Sequence, residues 1–208
     1  FSSLSLWLRE AGVERSAITF FSWAALGYSF KFVWAPLVDQ LPLPWLSRWL
    51  GRRRSWLLLA QTAIILSILA MAGVDPAAGE QPLLTMALAA VALGFSSATQ
   101  DIVIDAYRIE SADTRLQSMM AAAYIAGYRL AMIVAGAGAL LLASGFGSRI
   151  DSYSYEAWSA TYGVMALVML VGVATTLIIS EPEASSKRAY NHSPVEYSRF
   201  LMTFLVCV

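Results

Sequence analysis

The sequence predicts an all-α, polytopic helical membrane protein, and three observations carry that prediction. The chain of 208 residues is 58% hydrophobic, with a mean hydropathy of +0.61. Only 13% of its residues are charged, about half the share usual in a soluble domain. Its apolar residues gather into long runs, and crossing a bilayer takes ~20 such residues. The runs are apolar on every side, unlike the one-sided stripe of a helix in a soluble bundle.

Five runs qualify as spans: about 17–38, 55–73, 82–105, 118–143 and 157–180, the third reaching 108 where the helix carries through Arg108. The opening "FSSLSLWL" reads as the exit end of an earlier helix. Residues 181–199 read as a polar connector, and 200–208 as the start of a further span. The chain is therefore expected to be a piece of a longer protein.

Charge totals balance at 14 basic and 14 acidic residues, so the total says nothing about partners; no nucleic-acid partner is expected of a polytopic membrane protein. Cys207 is the one cysteine, which excludes a disulfide framework and a cysteine metal cluster. His192 is the one histidine and reads as a loop residue. A membrane enzyme would need a nucleophile with a base, a metal cluster or facing aspartates on two helices, and none is visible. No enzyme activity, metal or cofactor is expected.

Positions of the basic residues predict orientation. Arg48, Arg52, Arg53, Arg54, Arg108, Arg115, Lys187, Arg188 and Arg199 fall in one alternate set of connections, and Arg9, Arg15 and Arg149 in the other. Positive residues favour the cytoplasmic side, so the "GRRR" loop is expected there. Counting the earlier helix, the chain to Ser180 makes six spans.

Two cations remain inside predicted spans, Lys31 and Arg129. Each costs ~2.5–3.5 kcal/mol at mid-helix, so such residues face a partner or a wet cavity. At about 1.5 Å per residue, Lys31 lies roughly 10 Å above the cytoplasmic end, Asp101 roughly 10 Å and Arg129 roughly 16 Å. Asp101 and Asp105 are four residues apart and share a helix face. Ser97 and Arg108 extend that face, and Gln100 widens it.

Three readings fit this stripe. Its charges lock helices together; or Lys31 and Arg129 hold an anionic substrate while an aspartate exchanges a proton, Asp101 being the deeper; or Asp105 is simply solvated at the interface. Tyr28, Trp34, Tyr124 and Tyr128 are candidates to line a sugar- or peptide-binding surface. Gly127, Ala131, Ala135 and Ala139 form a small-residue stripe that permits close helix approach.

"FKFVWAPLVDQ" (30–40), "GRRRSWLLLAQ" (51–61), "SSATQDIVIDAYRIE" (96–110) and "GYRLAMIVAGAGAL" (127–140) together resemble the AmpG-type muropeptide permease family of the major facilitator superfamily. The likeness runs through almost the whole chain. Asp39 with Gly51, Arg52, Arg53 and Arg54 is similar to the superfamily's loop motif between the second and third helices. Ala35 stands where that motif usually has glycine, Gln40 where it has a basic residue, and a long insert separates Asp39 from Gly51.

The resemblance implies the N-terminal six-helix half of a major facilitator fold, with helix one largely missing and a second half elsewhere. It implies proton-driven import of N-acetylglucosaminyl-anhydro-N-acetylmuramyl peptides across the bacterial inner membrane for cell-wall recycling, a supply that can feed β-lactamase induction. On that reading Lys31, Gln100, Arg129, Tyr28, Tyr124 and Tyr128 bind an anionic sugar-peptide. Asp101 and Asp105 couple protons, and Asp39, Gly51, Arg52, Arg53 and Arg54 form a gate. The acetyl-coenzyme A transporter family is the rival, sharing "WAP", the "GRR" loop and "ATQDI", but its fifth helix generally lacks an arginine at the place of Arg129.

Overall fold

The computed structural model of the chain describes residues 2–15, 17–18, 21, 26–43, 45–111, 113–149, 152–182, 195, 199 and 202. Among the described residues the secondary structure is helical, with one isolated bridge between Arg149 and Ser152. Short helices come first: α1 (Ser2–Glu10), α2 (Leu26–Ser29), α3 (Ala35–Gln40) and α4 (Leu46–Leu50). Four long helices follow: α5 (Arg52–Ala72), α6 (Glu80–Ser111), α7 (Gln117–Gly145) and α8 (Tyr155–Ile178). All four are long and apolar enough to cross a membrane.

The first expected span behaves differently. Where the sequence predicts one helix over 17–38, residues 26–40 form α2, a 3-10 turn at Lys31–Val33, and α3. Phe30 (φ −91°, ψ 8°) and Trp34 (φ −105°, ψ −4°) sit at the two joints. Pro36 opens α3. Proline lacks the N–H that would bond one turn back, and its ring crowds the carbonyl there, so the preceding turn cannot continue as a regular α-helix. Residues 19–20 and 22–25 of this span lie outside the described residues.

Small residues let α6 approach its neighbours. Ala90, Gly94 and Ala98 are buried at four-residue spacing, and α6 packs chiefly on α5, which also packs on α8. The stripe expected on α7 is buried only at its far end, at Ala139 and Ala143; Gly127, Ala131 and Ala135 are exposed. Most of α7 presents Leu130, Ile133 and Leu141 outward.

One end of the bundle is closed by an aromatic core. Trp7 and Trp158 are fully buried and stack with ring centroids 5.7 Å apart, and Tyr162 tilts against Trp7 at 4.7 Å. A buried indole N–H needs an acceptor. Trp158 Nε1 and Ser148 Oγ each donate to Glu10 Oε2 at 2.7 Å. Trp7 Nε1 donates to Tyr153 Oη at 3.3 Å, and that hydroxyl donates to Asp75 Oδ1 at 2.7 Å. Burial, with the Asp75 carboxylate alongside, holds the Tyr153 phenol above its ordinary range. α1, the turn after α5 and the start of α8 are thus joined at this end.

A second, smaller core of Val38, Leu57, Ile102 and Val103 lies toward the other end. It supports the charged groups described next. The expected connector 181–199 and further span 200–208 lie almost wholly outside the described residues, as do His192, Cys207, Lys187 and Arg188.

Candidate functional site

The helix break places Lys31 on the 3-10 turn, beside the middle of α6. There it forms an ion pair with Asp101, their side chains 34% and 14% exposed. Tyr124 of α7 donates its hydroxyl to Asp101 Oδ1 at 2.6 Å. Lys31 Nζ lies 5.1 Å from the Tyr28 ring centroid, a cation–π distance. The Asp101 carboxylate on α6 thus joins the 3-10 turn to α7.

Trp34 fastens the broken segment to α6. Its Nε1 donates to Thr99 Oγ1 at 3.1 Å, and its ring centroid lies 4.6 Å from that of Phe95. Gln100 Oε1 is buried with no hydrogen-bond partner among the described residues. Tyr128 is exposed and close to both Tyr28 and Tyr124.

The two aspartates of the shared helix face take different partners: Asp105 turns to Arg108, whose Nη2 donates to its Oδ1 at 3.3 Å, while Asp101 turns to Lys31. Sharing a helix face brings two side chains near, but each carboxylate takes the cation nearest to it. The same Arg108 guanidinium lies 5.4 Å from the Tyr124 ring centroid. Arg129 is exposed, with no hydrogen bond or ion pair among the described residues, so the structure does not bring it to Lys31 and Asp101.

Chemically, the cluster is an ion pair with spare capacity. A lysine ammonium offers three donors, and one about a third exposed can turn from Asp101 to a carboxylate entering from outside. A proton on Asp101 weakens its hold on Lys31. Anion binding at Lys31 and protonation of Asp101 are therefore favourable together.

The second charged group lies at the Arg52 end of α5. Arg53 is 1% exposed. Its Nε and Nη2 donate to the two oxygens of Glu110 at 2.9 and 2.7 Å, and its Nη1 to Asp39 Oδ1 at 2.6 Å. The two-pronged match of guanidinium and carboxylate is among the strongest hydrogen-bond geometries. Arg54 instead donates from Nε to Thr176 O at 2.9 Å and from Nη2 to Leu177 O at 2.7 Å, satisfying carbonyls left open where α8 ends. Arg52 lies 3.7 Å from Glu110 through Nη2, without a hydrogen bond. Three consecutive arginines thus have three different surroundings.

Glu181 completes this end. Its oxygens accept the backbone N–H groups of Arg53 at 2.8 Å and Arg54 at 3.1 Å. A helix start leaves such donors open and favours a negative charge. Gly51, at the cap, has φ +85°, and a Cβ there would lie 2.4 Å from Glu181 Cδ. Gly51→Ala is expected to cost about 1–3 kcal/mol, because a side chain strains this left-handed backbone and pushes Glu181 off the N–H groups it caps. Thermal unfolding of the purified chain in detergent checks this; an unchanged midpoint contradicts it.

Glu110 and Glu181 are the residues that sequence reasoning did not assign. Glu110 stands nine positions after Asp101 on the same helix, and Glu181 directly follows the last long apolar run. Those placements are the only local signals, because their partners lie 57 and 128 residues away.

Comparison with known proteins places this architecture. The residue pattern of the Major Facilitator Superfamily matches residues 3–206. AmpG 4 of Rickettsia felis, named as a transporter, is 39% identical over 183 residues, covering 88% of this chain and 41% of that protein. The anhydromuropeptide permease of Escherichia coli K12 is 36% identical over 180 residues, covering 86% of this chain and 33% of that protein. AmpG 3 of Rickettsia typhi, also named as a transporter, is 30% identical over 194 residues, or 93% of this chain and 43% of that protein. This chain thus spans less than half the length of these curated relatives. No solved structure shows a significant match. With its long apolar helices and a pattern match over nearly all its residues, the chain belongs to the Major Facilitator Superfamily.

Proposed function

We propose that the chain is the N-terminal part of a proton-coupled transporter that imports anhydromuropeptides across the bacterial inner membrane, its basic loop in the cytoplasm. The observation that carries this reading is the Lys31–Asp101 ion pair, held at a helix break with the Tyr124 hydroxyl on the carboxylate and the Tyr28 ring beside the ammonium. Interrupted membrane helices are where transporters of this kind place substrate and ion sites. The permease likeness supports the substrate class, since a muropeptide carries carboxylates for Lys31 and many hydroxyls for tyrosine and Gln100.

In this scheme a proton reaches Asp101 from the outer side and weakens its pairing with Lys31. The ammonium then takes up a carboxylate of the sugar-peptide, while Tyr28, Tyr124 and Tyr128 flank the sugar. Arg129, exposed on α7, engages a second carboxylate when the other half of the transporter closes over the site. Asp105, paired with Arg108, serves as a relay nearer the cytoplasm. The Arg53–Glu110–Asp39 cluster, with Arg52, Arg54 and Gly51 around it, holds α3, α5 and α6 as one unit, so that this half rocks as a rigid body against the second.

Substrate choice is tested with the full-length protein in vesicles under an inward pH gradient. Labelled anhydromuropeptide should accumulate, with excess acetyl-coenzyme A leaving the rate unchanged. Uptake of acetyl-coenzyme A without uptake of muropeptide rejects the assignment.

A further inference from the structure

Between Asp39 and the start of α5 lies a stretch that the transport scheme leaves unused. Residues 41–50 read "LPLPWLSRWL", and in them Trp45 and Trp49 are 83% and 88% exposed. No large apolar side chain among the described residues is more exposed than Trp49. Trp45 also has φ +73°, the one left-handed non-glycine backbone among the described residues, a conformation bulky residues rarely adopt. We propose that this connector is an interfacial membrane anchor, its two indoles seated at the boundary of headgroups and acyl chains and Arg48 on the phosphates of anionic lipid.

Position argues for lipid as the occupant. Gly51 caps both the end of α4 and the start of α5, so the connector sits where a membrane-spanning helix leaves the bilayer. Trp56 Nε1 donates to Leu41 O at 2.8 Å, pinning the start of the connector against the flank of α5. Trp56 is four residues beyond Arg52, or about 6 Å along the helix, and interfacial segments lie about 5–10 Å deep. The end of α8 is at the same level, since Arg54 binds its Leu177 carbonyl, and it turns the equally exposed Ile178 outward.

Chemistry argues the same way. Tryptophan is amphipathic and collects at the two membrane interfaces. Residues 41–54 hold Arg48, Arg52, Arg53 and Arg54 and no acidic residue, the charge sign that anionic headgroups attract. This inference is independent of the substrate and of which side the loop faces.

The test compares the full-length protein with its W45F/W49F variant in nanodiscs of phosphatidylcholine and phosphatidylglycerol brominated high on the acyl chain. Bromine quenches only indoles that touch that depth. The variant should lose the bromolipid-quenched emission carried by two of the seven tryptophans of this chain, while quenching by aqueous iodide stays the same. If the double variant fails to insert, W49F alone gives the same reading at smaller amplitude. Loss of iodide quenching instead would make the connector a solvated loop, and loss of neither would mean protein covers it; either overturns the anchor.

Discussion

Arg53→Ala is expected to destabilise the chain by about 3–5 kcal/mol, the usual cost of removing one partner from a buried ion pair. The physical reason is what remains. Glu110, its side chain 3% exposed, loses the two-pronged guanidinium that pairs with both of its oxygens, while Arg52 stays 3.7 Å away without a hydrogen bond. Asp39 loses its partner too, but at 43% exposure it is solvated and adds little. The same reasoning predicts recovery: Arg53→Met combined with Glu110→Leu removes both charges and fills similar volume, so most of the stability returns. Denaturant unfolding of the four chains of this double-mutant cycle measures the coupling directly. A single mutant as stable as the native chain contradicts the burial described here.

The second large effect is expected at the proposed transport site, where two explanations must be separated. Lys31→Ala leaves Asp101 without its cation, and Asp101→Asn leaves Lys31 without its anion. With Lys31 about a third exposed, solvent screens part of either loss, leaving about 1–3 kcal/mol in stability. Both variants should reduce anhydromuropeptide uptake by the full-length protein to background. Stability and uptake part company in the double variant Lys31→Ala with Asp101→Ala. No uncompensated charge remains, so the fold recovers, but neither the ammonium proposed to bind the substrate nor the carboxylate proposed to carry the proton is present. If the pair only locked helices together, the double variant would transport.

How far the sequence led depended on the range of the interaction. The long helices were legible because a bilayer imposes length and apolar composition on each run separately. Counting 1.5 Å per residue put Lys31, Asp101 and Arg129 at similar heights, roughly 10 to 16 Å from the cytoplasmic end, and so grouped all three. In the structure Lys31 meets Asp101, and Arg129 is apart from them. What misled was treating 17–38 as a uniform run. Pro36 lay in plain sight, and its missing N–H is what breaks the helix and sets Lys31 on a tighter turn. The four-residue spacing put Asp101 and Asp105 on one helix face, but it did not tell that Arg108, three residues after Asp105, takes the second carboxylate.

The cluster around Arg53 was half legible. The run of three arginines marked the place, but nothing local tells which of them turns inward. That choice is made by Glu110 and Glu181, contributed by the ends of two other long apolar stretches. Gly51 shows the same limit: its need for an absent side chain becomes visible only when Glu181 is seen filling that space.

The central claim is that Lys31 and Asp101 form the working site of a proton-driven importer and are more than a helix lock. Uptake of labelled anhydromuropeptide into vesicles holding the full-length protein with Lys31→Ala and Asp101→Ala, under an inward pH gradient, tests it most directly. The account predicts a correctly inserted, stably folded protein whose uptake equals that of empty vesicles, while the unmutated protein accumulates substrate until a protonophore collapses the gradient. Gradient-driven accumulation by the double variant at the native rate contradicts it.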